Sequence, residues 1–184
     1  IGTFFGGLYS YNTSTNKITH YDSSEFIEHN INTSNIRKVL VDNKDNIWIG
    51  TRAGLYRITR DKKNNFNITP FNNRFKTILG ENISSTIVYS LFEDDLNNIW
   101  VGSLDYGLFK YSYDTDKIIW FNNDNGFIHE SISSITQDQN GHIWLSGNKG
   151  LTKFNVDKNQ FTNFNKNDGL SSNRFNYNSV FKDS

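Results

Sequence analysis

The chain has 184 residues, with 19 basic and 19 acidic side chains and a formal net charge of zero. That balance argues against a nucleic-acid or anionic-membrane surface, which needs a basic excess. No run of about 18 apolar residues is present to cross a bilayer, and the absence of cysteine excludes disulfides and thiolate metal sites.

The chain opens on "IGTFFGG", with neither an initiator Met nor the basic and apolar regions of a signal peptide. Ile1-Gly2-Thr3 aligns with Ile49-Gly50-Thr51 further on. The start therefore falls in mid-pattern, and the chain reads as a piece of something longer. The first full unit begins with "IRKVLVD", ending on Asp42, and a polar turn leads to "NIWIGT" around Trp48. A short connection through Gly54 leads to "LYRITR". The second unit repeats the plan with Val88, Leu91, Asp94, Trp100 and "LFKYSY", and closes on "KIIWFN". The third repeats it with Ile132, Ile135, Asp138, Trp144 and "QFTNFN". The tail "YNSVFKD" restarts the pattern with Tyr177, Val180 and Asp183. Trp48, Trp100 and Trp144 are 52 and 44 residues apart, each with an acid six residues ahead.

All four segment types are rich in Val, Ile, Thr, Tyr, Phe and Trp, alternate with period two, and are separated by Asn-rich turns. That is the signature of short antiparallel strands. No segment carries a capped 3.6-residue apolar stripe, so no long helix is expected. Four strands per roughly 45 residues make a β-propeller blade. The fold class is therefore all-β: one partial propeller over residues 1–184, of about four four-stranded antiparallel blades. Its approximate repeats are 1–48, 49–100, 101–144 and 145–184. Each repeated Trp supplies apolar area between blades, and the Gly after it permits close backbone approach. The Gly before Leu supplies a positive φ, and the Asp caps the turn between the first two strands without binding metal.

The in-phase pattern I-x-x-[ILV]-x-x-D, N-x-IW-[IV]-G-[TS] and G-L-[YF], with "NDGLSSNRF" at 167–175, resembles the two-component regulator propeller repeat. Two departures stand out: Ser146 replaces the usual Gly, and the stretch from Phe175 to Asp183 is two residues longer than the family's. The resemblance implies the extracytoplasmic, periplasmic sensor region of a hybrid two-component histidine kinase of the Bacteroidetes type, detecting an oligosaccharide released from polysaccharide. Kinase chemistry, and the remaining blades, would lie outside these residues. Two other readings stand beside it, a protein-interaction propeller and an enzyme similar to streptogramin lyases, with His129-Glu130 as the adjacent base and acid. We expect neither cofactor nor metal: the four histidines never fall at zincin spacing, and no P-loop or calcium-loop pattern occurs.

Ligand-binding loops of propellers join strand two to three and strand four to the next blade. In the first set lie "FFG", Arg52-Ala53, Leu104-Asp105-Tyr106 and Asn148-Lys149; in the second, "GFIHES" and "LSSNRF". Arg52, Asp105, Tyr106, Asn148, Lys149 and Arg174 are the residues we expect nearest a ligand. The three cations among them suggest an anionic sugar. An unclosed ring would also expose Trp-sized apolar blade faces, which favours self-association.

Overall fold

The computed structural model describes residues 1–3, 6–21, 35–63, 66–80 and 86–182. The chain gathers into two compact units, residues 1–88 and 89–184.

In the first unit, β1 (Leu8–Asn12) and β2 (Lys17–Tyr21) form an antiparallel pair. A four-stranded antiparallel sheet follows in chain order: β3 (Ile36–Val41), β4 (Ile47–Thr51), β5 (Gly54–Arg60) and β6 (Phe66–Pro70). Leu8, Ile36, Ile49, Tyr56 and Ile58 are buried together between the pair and the sheet. In the second unit, one sheet is built from β7 (Val88–Glu93), β8 (Ile99–Ser103), β9 (Leu108–Ser112) and β10 (Lys117–Phe121). The other is built from β11 (Ile132–Gln137), β12 (Ile143–Gly147), β13 (Gly150–Asn155) and β14 (Gln160–Phe164). The all-β fold class holds: each of the three sheets is a meander of four short strands. The expected four blades appear, among the described residues, as three four-stranded sheets and one two-stranded pair.

The repeated Asp has a larger role than a turn cap. Asp94 Oδ2 accepts the indole N–H of Trp100 at 2.7 Å, while Oδ1 accepts the backbone N–H groups of Asn98 at 2.8 Å and Leu96 at 3.0 Å. Asp42 does the same with Trp48, Asn46 and Lys44, at 2.7, 2.8 and 3.0 Å. Asp138 repeats it with Trp144, His142 and Asn140, each at 2.9 Å. Each hairpin thereby ties its turn to its Trp through one carboxylate. The third turn residue takes positive φ (Asp45, Asn97, Gly141), which Asn, Asp and Gly tolerate best.

Held this way, Trp100 lies fully buried and packs edge-on against Phe154 of the neighbouring sheet, with ring centroids 6.0 Å apart. It joins Leu108, Phe121, Ile132, Ile135 and Leu145 in the second unit's core. A Cβ on Gly102 would lie 2.7 Å from Ile132 Cβ, so the close approach of the two sheets requires glycine there. A cation also covers each Trp from the partner strand. Trp48 pairs with Arg57, Trp100 with Lys110 and Trp144 with Lys153, at 5.6, 5.6 and 5.9 Å from the ring centroids. That spacing is within cation–π range.

The expectation of no long helix holds among the described residues, but one short helix, α1 (Asn72–Leu79), stands in the connection after β6. Most of the excess of 52 over 44 residues between successive Trp positions lies in that connection. The helix has no side-chain N-cap and no acid in its first turn, so the usual start signals are missing. It is held by packing instead: Phe71 and Phe75 are buried, and Phe71 lies 4.9 Å from the Trp48 ring. One sequence expectation needs correction: the tail does not restart a blade as a strand over its described residues. It crosses β11 instead: Asn178 N donates to Ser133 O (3.0 Å), Ser133 Oγ donates to Phe175 O (2.9 Å), and Tyr177 stacks on Tyr89 at 4.0 Å. Val180 and Phe181 stay exposed, without the apolar cover a first strand needs. Asp183, read as the repeat's acid, lies outside the described residues.

The clamp makes two predictions. Asp94→Ala should cost about 3 kcal/mol, because a buried indole N–H and two turn N–H groups lose their acceptor. Asp138→Ala should cost distinctly less, because Asp138 and Trp144 are only half-buried. Urea denaturation midpoints measure both, and equal losses would show that burial of the clamp is irrelevant. Burial pushes the Asp138 carboxyl up, but hydrogen bonds from Trp144, His142 and Asn140 outweigh it and hold the pKa at about 2, below the ordinary 3.8. The stability this contributes is whole above about pH 4 and fades as pH falls toward 2. Asp138→Asn should therefore flatten that part of the acid-denaturation curve.

Candidate functional site

The loops singled out in the sequence join the strands as expected. Arg52-Ala53 joins β4 to β5, residues 104–107 join β8 to β9, and Asn148-Lys149 joins β12 to β13. The first two tips share a device. Thr51 Oγ1 donates to Gly54 O (3.0 Å) and accepts from Ala53 N (2.9 Å); Ser103 Oγ does likewise with Gly107 O and Tyr106 N, both at 2.9 Å. Thr3 repeats it, accepting from Gly6 N and donating to Gly7 O. The hydroxyl at the end of each "IW-[IV]-G-[TS]" run thus locks the tip. Phe4 and Phe5 of the "FFG" loop lie outside the described residues.

The connection after β10 opens with a 3-10 turn (Asn123–Asn125), and the segment after β14 opens with another (Lys166–Asp168). Both are built by reciprocal caps. Asn122 accepts from Asp124 N while Asn125 Oδ1 accepts from Asn122 N; Asn165 accepts from Asn167 N while Asp168 accepts from Asn165 N. Each turn ends on a glycine in the left-handed region, Gly126 and Gly169. The Asn clusters "NNDNG" and "NKNDG" are therefore one repeated structure.

Within the second unit these loops enclose a depression of about 250 Å³, lined by Asp105, Tyr106, Gly107, Trp120, Asn122, Asn123, Asp124, His129 and Glu130. Its floor is pinned: Trp120 Nε1 donates to Tyr106 O at 2.6 Å, and Gly107 N donates to Glu130 O at 2.8 Å. Trp120 is half-buried, and its ring stacks on that of Phe109 with centroids 6.3 Å apart.

His129 is 2% exposed, and its Nε2 lies 2.8 Å from Thr152 Oγ1. That hydroxyl donates its one proton to Asn163 Oδ1, so the imidazole carries its proton on Nε2. Burial, with the Lys149 charge second, pushes the His129 pKa down to about 4, so the ring is neutral near pH 7. The Asn148 side chain approaches the ring and offsets this slightly, but Nδ1 closes no hydrogen bond of ordinary geometry. Lys149 Nζ lies 3.4 Å from Glu130 Oε1, with both side chains well exposed.

Four of the six expected residues thus come together. Asp105 and Tyr106 line the depression, and Asn148 and Lys149 join it through His129 and Glu130. Arg174 does not join them. It is exposed, its backbone N donates to Ser172 Oγ, and the adjacent Asn173 carbonyl accepts from Gly150 N at 2.8 Å. No hydrogen bond or ion pair ties its guanidinium to the depression among the described residues. Arg52 belongs to the first unit, exposed at its tip, where its backbone N donates to Asn35 O. The sequence reading missed Trp120, Asn122, Asn123 and Asp124. A signal for the first was available, since Trp120 is the one tryptophan of four outside the repeat register.

The model of the two component regulator propeller family matches three stretches, residues 30–53, 82–105 and 126–149. Each ends at the tip that follows the repeated Trp. A curated relative, histidine kinase P4 of Formosa agariphila, is 31% identical over 180 residues, which is 97% of this chain and 13% of that protein. The extracellular domain of the hybrid two component system BT4673 from B. thetaiotaomicron superposes with a TM-score of 0.72 at 24% identity, covering 94% of this chain and 22% of that one. That of BT3049 from the same organism gives 0.69 at 25% identity, covering 92% and 22%. The chain thus spans between about an eighth and a quarter of these proteins. The repeating unit of this chain, from its first-strand apolar pair through the Asp–Trp clamp to the hairpin tip, is the two-component regulator propeller repeat, and the chain belongs to that family.

Proposed function

We propose that the chain is an extracytoplasmic, periplasmic ligand-sensing segment of a hybrid two-component histidine kinase, with an oligosaccharide as its signal. The observation that carries this reading is the depression beside Trp120 and Tyr106, in a chain so similar to a histidine kinase along nearly its whole length. An indole face, a phenol and several Asn and Asp side chains suit a sugar, which offers apolar C–H faces and many hydroxyls. The volume of about 250 Å³ is near the lower end of ligand pockets, enough for a ring or two.

The depression also spans two elements that a ligand would bridge: the β8–β9 tip and the connection into the next sheet. Occupancy would tighten that junction, which gives binding a mechanical consequence. The kinase that reads it, and further blades, would belong to other parts of the parent protein. Asp105 and Tyr106 serve here as ligand contacts; Asn148 and Lys149 stand behind them beside His129 and Glu130, with Arg52 and Arg174 at the rims of other loops.

The test uses the intact receptor. Trp120→Ala and Tyr106→Ala should each weaken oligosaccharide binding by about tenfold in calorimetry, since stacking is worth roughly 0.5–1.5 kcal/mol beyond the area it buries. Arg52→Ala should change it less than twofold. Wild-type affinity in Trp120→Ala, with the propeller still folded, would place the sensing site elsewhere.

A further inference from the structure

We infer that the ligand of this depression carries a protonated amine, as an amino sugar does, and is not an anionic saccharide. The inference rests on the proposed sensing role of the same site and concerns only the chemical class of its occupant. It also runs against the anionic ligand suggested by the cations in the sequence.

The charges present in the structure support it. Asp105, Asp124 and Glu130 line the depression, and among the described residues the one ammonium in an ion pair with them is that of Lys149. Three carboxylates against one ammonium leave a formal charge of minus two. Lys149 is moreover held 3.4 Å from Glu130, so its charge is already matched. Both arginines read as ligand contacts lie outside the lining. An anion entering here would meet carboxylates without an unmatched cation.

The wall supplies the second, independent feature. Trp120 lines the same depression, and an indole face attracts an ammonium through its quadrupole. His129 does not oppose this, because burial keeps its ring neutral around pH 7. An aromatic wall with carboxylates at its rim is the pairing that recognises an amine. The neighbouring Asn122 and Asn123 offer donors and acceptors for ring hydroxyls. Because the carboxylates are exposed, each contributes modestly and the effect is sensitive to salt. Acetylating the amine removes its charge while keeping the ring, so the acetylated sugar is the sharpest competitor.

The experiment titrates the full chain at pH 6 with three disaccharides, following tryptophan fluorescence. The probes are a glucosamine dimer, its N-acetylated counterpart and a uronate-containing dimer. The amine dimer should bind at least about tenfold tighter than the other two, and added salt should weaken it. Asp105→Asn and Asp124→Asn should each reduce its affinity several-fold, with the N-acetylated dimer unaffected. Lys149→Met should tighten it. Equal or tighter binding of the N-acetylated dimer, or binding of none of the three, overturns the inference. So does tighter binding of the uronate dimer that is lost in Lys149→Met, though that result would leave the sensing site itself standing. If Trp120→Ala, still folded, binds every probe as the parent does, the site reading fails as well.

Discussion

The architecture depends on a carboxylate that collects N–H groups from both the backbone and an indole. A hairpin turn between two short strands leaves N–H donors with no ladder partner, and a tryptophan sent to the interior carries one more. Asp42 and Asp94, both nearly buried, answer these needs at once. The turn cannot shift register without losing the indole, and the indole cannot rotate without unsatisfying the turn. That coupling explains why an acid recurs six residues ahead of each Trp. With the Trp fixed, the neighbouring sheet can pack on it, as Phe154 does on Trp100, and the cross-strand Arg or Lys can cover its other face.

The opposite end of the hairpin is settled by a different group in the tips after β4 and β8. There a Thr or Ser hydroxyl bonds both an N–H and a carbonyl of the tip, and a positive-φ glycine closes it. The tip is then rigid before any ligand arrives, and its backbone can serve the next sheet. Gly107 N reaches Glu130 O and Gly150 N reaches Asn173 O, both at 2.8 Å. The loops that line the depression are therefore tied to hairpin tips by backbone hydrogen bonds. Side chains such as Asp105 and Tyr106 project from a scaffold that is already satisfied, which is what precise recognition requires.

How much of this was legible follows from what repeats. Strand order, the Asp turn, the buried Trp and the positive-φ glycine could be read, because each is one residue type recurring at one phase. The helix α1 could not, because it occurs once and is held by Phe71 and Phe75 packing instead of caps. The tail was misread because Tyr177 and Val180 match the spacing of a first strand, while the partner that would cover them is not specified by spacing. At the site, loop membership was readable and side-chain direction was not. Asp105 and Lys149 were named because tips are short; Trp120 was passed over because it sits in a strand. Arg174 was named for its charge, yet its neighbour Asn173 is the residue that makes the structural contact.

The third repeat breaks the pattern where the candidate site is formed, and one residue explains how. Where the other tips have Thr3, Thr51 and Ser103, this one has Gly147. A Cβ at 147 would lie 2.4 Å from Ser131 O and 2.6 Å from His129 Nδ1. A hydroxyl residue there would keep the tip's own lock but expel His129 from its buried place beside Thr152. The repeat has thus given up a local hydrogen bond to admit an imidazole beneath the loop that carries Glu130. Gly147, His129 and Thr152 form one packed set: the His129 ring needs the missing Cβ at 147, and its Nε2 bonds Thr152 Oγ1. In a repeat protein most positions are constrained by architecture, so coordinated departures from the repeat mark where the structure serves something other than itself. Here that set lies against the depression, a conclusion reached from packing and independent of any charge or aromatic argument about the ligand.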